Sequence, residues 1–265
     1  MGCARRRLQV WRVACHLALP MCLALVAGQA VGQGGPVPGD IDLQLSHERS
    51  SGHYGDLAPT RIDQTTLTVR YHGRGWSSEL QLPWLQVRSD AASGGLPDAA
   101  GSGANHERGA GDVWWRSSLT LREFDGAGPG LDLTVKLKAA NGSASRGLGT
   151  GGRDLAVQLD VVQTIGPATV FGHLGWRHTG DPAGYRPYRN PWYGELGAQH
   201  RLESGLDLGA YLTVREPMGR LGPLGEGTAF VAWRQGRQRW QIHLTQGWQT
   251  ASPQGALGLT WRQRY

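Results

Sequence analysis

Residues 131–138 read LDLTVKLK and residues 154–161 read DLAVQLDV. In the first, Leu131, Leu133, Val135 and Leu137 fall at every second position, and Asp132, Thr134, Lys136 and Lys138 fill the gaps. In the second, Leu155, Val157, Leu159 and Val161 alternate with Asp154, Ala156, Gln158 and Asp160. A helix brings residues three or four apart onto one face. A period of two separates the classes only on a β-strand, where successive side chains point to opposite sides. Working outward, ten more runs carry the same alternation: 41–46 (IDLQLS), 66–71 (TLTVRY), 78–84 (SELQLPW), 113–121 (VWWRSSLTL), 168–176 (ATVFGHLGW), 192–200 (WYGELGAQH), 206–214 (LDLGAYLTV), 228–233 (TAFVAW), 240–244 (WQIHL) and 256–265 (ALGLTWRQRY). Twelve strands are expected.

The connections alternate in length. Short ones lie at 72–75 (HGRG), 125–130 (DGAGPG), 164–167 (TIGP), 203–205 (ESG) and 235–237 (QGR). Long stretches rich in Gly, Ser, Asp and Pro lie at 47–63, 88–111, 139–153, 179–191 and 216–227, and only the last, around 249–253, is short. A soluble sandwich has no reason to order its loops this way. An antiparallel transmembrane β-barrel does, with tight periplasmic turns and longer outer loops. The expected fold is therefore all-β, a barrel of about 12 strands with both termini on the periplasmic side. Aromatic residues agree: Tyr71, Trp76, Trp240, Trp261 and Tyr265 fall near the short turns, and Trp84, Trp115, Trp176, Trp192 and Trp248 near the long loops. Two such belts suit the two membrane–water interfaces, where an apolar ring with a polar handle is at home. The chain also ends on alternating Leu257, Leu259, Trp261 and Tyr265, although Gln263 interrupts the pattern.

The first 30 residues read as a secretory signal peptide. Arg5, Arg6, Arg7 and Arg12 form a basic start, residues 13–26 are apolar but too short to span a membrane, and Gly28-Gln29-Ala30 offers a cleavage site. Residues 31–40 are then a linker and residues 41–265 the barrel. Removing the segment takes the net charge from +6 to +2, so nucleic acid is not an expected partner. Cys3, Cys15 and Cys22 all leave with it. A mature chain without thiols excludes disulfides, zinc–thiolate sites and cysteine nucleophiles.

If Leu, Val and Trp face lipid, the alternate positions face inward. The candidate lumen-lining cations are Arg70, Arg116, Arg122, Lys136, Lys138, Arg177, Arg201, Arg215, Arg262 and Arg264. The facing acids are Asp42, Glu79, Asp132, Asp154, Asp160, Glu195 and Asp207. On the lipid face a midplane Lys or Arg costs about 2–4 kcal/mol, so the inner face is the only economical place for them. An open lumen of this kind favours anionic or neutral polar solutes. Charges that instead pair across the strands would fill it. The expected function is passive transport of small solutes in the outer membrane. The alternative is a structural or surface-interaction barrel with a plugged lumen. The expected partners are outer-membrane lipid, small solutes, and the barrel-insertion machinery that reads the last strand.

Nothing catalytic, metal-binding or cofactor-binding is expected. Residues 147–152 (GLGTGG) fit a dinucleotide pattern, but a strand rather than a helix follows them, so no helix N-terminus is there to hold pyrophosphate. His173 and His178 are five apart and fall on opposite strand faces. A lipid-cleaving barrel needs a serine activated by histidine, and no His-x-Ser segment stands on a strand. A lipid-modifying enzyme is therefore the least supported reading.

Two openings carry a family resemblance. Gly109, Gly111 and Asp112 lie in GAGDVW after a long loop, and Gly149, Thr150, Gly151 and Asp154 lie in GTGGRD after the strand containing Lys136 and Lys138. These resemble the openings of the meta-pathway phenol-degradation-like outer-membrane proteins, regarded as transporters. The likeness spans roughly residues 64–215. One departure stands out: Ala139-Ala140-Asn141-Gly142 replaces the Pro-Thr-Gly expected after the Lys-containing strand. The resemblance implies passage of small hydrophobic or aromatic compounds and gives no substrate residues.

Overall fold

The computed structural model describes residues 36–54, 59–89, 105–124, 128–180, 189–218 and 222–265. The expected signal peptide and its three cysteines lie outside the described residues, as do parts of five of the connections. The strands are β1 (Ile41–Gly52), β2 (Thr60–Gly73), β3 (Trp76–Ser89), β4 (Asn105–Ala110), β5 (Trp114–Arg122), β6 (Gly130–Lys138), β7 (Asp154–Ile165), β8 (Ala168–His178), β9 (Trp192–Arg201), β10 (Leu206–Arg215), β11 (Leu224–Gln235), β12 (Gln238–Gly247) and β13 (Gly255–Arg264). Both β4 and β5 pair with β3, one through Trp84↔Ala110 and the other through Gln81↔Trp114. They are two halves of one stave, so the barrel has twelve staves. It is antiparallel throughout and closes where β1 meets β13, from Asp42↔Arg264 to Ser51↔Gly255. Among the described residues every strand but β4 pairs on both sides, so closure leaves the other strands no open edge, which hydrocarbon would not tolerate.

The two faces are inverted relative to a water-soluble protein. Leu196, Leu244 and Leu174 stand outward at 64%, 62% and 59% exposure, while Thr134, Gln158 and Asp160 point inward and are almost wholly covered. Apolar outside and polar inside is stable only where lipid replaces water around the barrel. On the inner wall, Phe171, Tyr211 and Phe230 pack together with Ala232. Glycine makes this possible. A Cβ on Gly197 would sit 2.5 Å from Tyr211 Cβ, 2.6 Å from Phe171 Cζ and 2.8 Å from the Ala210 carbonyl oxygen. Without it, the rings lie against the wall. At the short-turn end, Gly166 (φ 57°) and Gly236 (φ 60°) adopt the left-handed conformation that tight hairpins need.

The strands run further than the alternation indicated. Residues expected to form the 47–63 loop mostly continue β1 and β2, and β4 lies within the expected 88–111 loop. Beyond the lipid band the outer face meets water in place of hydrocarbon, so residues such as His47, Glu48, Arg49 and Ser50 show no apolar–polar alternation while still pairing with Thr65, Gln64, Asp63 and Ile62. The extension also moves Trp115. With β4 prolonging its stave, this residue sits away from the strand end, and its indole N–H donates to Ser78 Oγ (2.8 Å).

Candidate functional site

The inner face is the candidate site, and its chemistry changes along the barrel. At the short-turn end, the Asp42 carboxylate takes Arg264 Nε at 2.9 Å and His72 Nε2 at 3.0 Å. Arg70 Nε donates to Glu79 Oε2 (2.7 Å), and Gln81 holds the other oxygen of Glu79 at 2.6 Å. Arg201 pairs with Asp207 (2.8 Å) on the neighbouring strand. Arg234, Arg239 and Arg262 also stand at this end, on β11, β12 and β13.

Midway, Arg116 reaches Asp160 at 3.6 Å, and Thr134 (2.6 Å) and Gln158 (2.5 Å) donate to the same carboxylate. Lys136 Nζ lies 5.5 Å from the centre of the Tyr193 ring. Glu195 faces inward on β9, two residues from Tyr193, and accepts from Thr213 Oγ1 (3.2 Å). Near the long-loop end, Glu48 pairs with His243 (3.0 Å), and Arg215 is buried.

The tightest cluster stands at the long-loop mouth. Lys138 Nζ sits 2.9 Å from Asp154 and 3.4 Å from Asp112, and it also contacts Thr150 Oγ1. Arg177 pairs with Asp154 and lies 5.2 Å above the Trp114 ring. Asp112 accepts the backbone N–H groups of Gly142 (2.9 Å) and Thr150 (2.9 Å). The two sequence openings are thus not separate features. Asp112 and Asp154 share the lysine that lies between them in sequence. Gly149 belongs to the same arrangement, because a Cβ there would sit 2.5 Å from Asp112 Oδ1 and 2.8 Å from the Gly142 carbonyl carbon. Above the cluster, Leu148 turns inward onto Tyr54, Ile62 and Leu85. Burial pushes the Tyr54 hydroxyl above its ordinary pKa, so it stays neutral and donates to Ser50 Oγ (2.7 Å).

Arg70, Arg116, Lys136, Lys138, Arg177, Arg215 and Arg262 are buried on the inner face, and Arg201 and Arg264 are half-buried at the short-turn end. Arg122 departs from the expected inward set. The register slips between Thr120 and Arg122, so this residue faces Leu131 and is exposed. Arg239, Arg234, Glu48 and Glu226 face the lumen but were not singled out in the sequence. Arg239 lies just before the 240–244 run, and extending the alternation back by one residue from that run would have found it. Among the aromatics, Tyr71, Trp76, Trp84, Trp192, Trp248 and Tyr265 are exposed on the outer face. Trp176, Trp240 and Trp261 are half-buried, with Trp240 6.3 Å from both Trp233 and Trp261.

A closed antiparallel barrel with an apolar exterior and a polar, ion-paired interior is a transmembrane β-barrel. Among solved structures, it is similar over 88% of this chain and 97% of the other to the COG4313 outer membrane channel from Pseudomonas putida F1, with a TM-score of 0.69 and 16% identity. It is also similar over 84% of this chain and 98% of the other to the KdgM porin, with a TM-score of 0.54 and 8% identity. At these identities the shared property is the fold. No family model matches the chain, and no curated protein does.

Proposed function

We propose that the protein is an outer-membrane channel through which small polar solutes pass passively. One observation carries the reading. Charged and hydrogen-bonding side chains line the inner face at every level, from Asp42 and Arg70 through Arg116 and Glu195 to Lys138 and Arg177. A barrel with a purely structural role would be cheaper to fill with apolar side chains, since buried ion pairs contribute little net stability. The whole-length likeness to the COG4313 channel and the KdgM porin supports the same reading. The paired openings that cradle Lys138 support membership of the meta-pathway phenol-degradation-like family, and with it transport as the role.

Conductance of the purified, refolded protein in a planar bilayer tests the proposal. Discrete, lasting current steps are expected. A correctly folded barrel that inserts and carries no current would refute it.

A further inference from the structure

We propose that the short-turn end of the lumen binds a small oxyanion, a carboxylate or a phosphate, between Arg239 and Arg262, with Arg234 beside them. The inference gives a substrate class to the channel proposed above and rests on that reading for its role in passage. The register brings these residues together. Arg234 is the cross-strand partner of Arg239, and Arg239 is the cross-strand partner of Arg262. Directly opposed residues in a sheet stand about 5 Å apart at Cβ, and like charges there repel. Arg239 and Arg262 are only 6% and 5% exposed, so water does little to relieve that repulsion.

The protein leaves both partly unsatisfied. Arg239 uses Nη1 on Gln241 Oε1 (2.8 Å), while its Nε and Nη2 have no hydrogen-bond partner among the described residues. Arg262 Nη1 has none either. Its nearest acid oxygen is on Asp42 at 4.0 Å, and that carboxylate already serves His72 and Arg264. By contrast, Arg70, two staves away on β2, has a carboxylate, Glu79, at hydrogen-bond distance. Among the described residues, two buried guanidinium groups with open donors have no carboxylate within hydrogen-bond distance. A carboxylate or phosphate matches them in charge and in the spacing of two of its oxygens, because the guanidinium fork pairs with two oxygens at once.

The test compares the full chain with the Arg239→Gln, Arg262→Gln double variant in detergent. Thermal unfolding is followed in sodium acetate, sodium phosphate and sodium chloride at matched ionic strength. The parent should be stabilised by acetate or phosphate beyond chloride, and the variant should bind roughly tenfold more weakly or worse, as expected for lost charge-assisted hydrogen bonds. A response to acetate alone assigns a carboxylate, and a response to phosphate alone assigns a phosphate. Equal responses from parent and variant, or no oxyanion response in the parent, would overturn the site. So would a variant that melts lower than the parent in chloride, because the arginines would then already be satisfied within the protein. Arg239→Lys keeps the charge without the fork and should bind between the two. Bilayer conductance of the parent separates the two ideas. Oxyanion stabilisation without current removes the channel and leaves the site, and current with unselective stabilisation does the reverse.

Discussion

Replacing Asp154 by Asn keeps the shape of the side chain and removes its charge at the most crowded point of the lumen. The carboxylate is fully covered, and its two cationic partners, Lys138 and Arg177, are each only 2% exposed. It also accepts the Gly180 backbone N–H at 3.0 Å. Breaking a buried pair by removing one partner costs about 3–5 kcal/mol, since the remaining charge stays desolvated. Here two cations lose a partner. Lys138 keeps Asp112 at 3.4 Å, and Arg177 keeps the face of Trp114, a contact worth about 2 kcal/mol when desolvated. Those residual contacts place the expected loss at the lower end, about 3 kcal/mol. The assay is urea unfolding of the lipid-reconstituted barrel, followed by tryptophan fluorescence. A built-in control is Glu107→Gln, which removes the Arg146–Glu107 pair. That pair is shorter than Lys138–Asp154, at 2.7 Å, but its side chains are 48% and 41% exposed, so the expected cost is about 0–1 kcal/mol. If Asp154→Asn costs no more than Glu107→Gln, the cluster is hydrated and the argument from desolvation fails.

Three other outcomes are expected. Gly197→Ala forces a Cβ against Tyr211, Phe171 and the fixed Ala210 carbonyl, and should destabilise the barrel by about 1–3 kcal/mol in the same urea assay; an unchanged midpoint would mean that the inner rings do not pack as described. Leu196→Arg places a cation on the lipid face and should cost about 2–4 kcal/mol in bilayers, and a cost near zero would put this position outside hydrocarbon. A cysteine at Thr250, in a connection at the long-loop end, should react with an impermeant maleimide on intact cells, while one at Ser204 should not; the opposite result would invert the barrel.

Strand number, the alternation of turn and loop, and the assignment of residues to inner or outer face could all be read from the chain alone. Each follows from a two-residue period, which is a local property: Leu155 and Asp154 must face opposite ways whatever lies beside them. Arg122 was misread because a register slip at one step reverses the faces beyond it. The far ends of β1 and β2, and the whole of β4, gave no signal because the alternation exists only where lipid wets one face. Side-chain partnership was beyond the sequence. Asp112 and Asp154 meet over Lys138, Arg239 stands between Arg234 and Arg262, and Asp42 takes Arg264 across 222 residues of sequence, each because of the register between staves. That register depends on turn geometry, strand tilt and the closure of β1 on β13, and the barrel sets these as a whole.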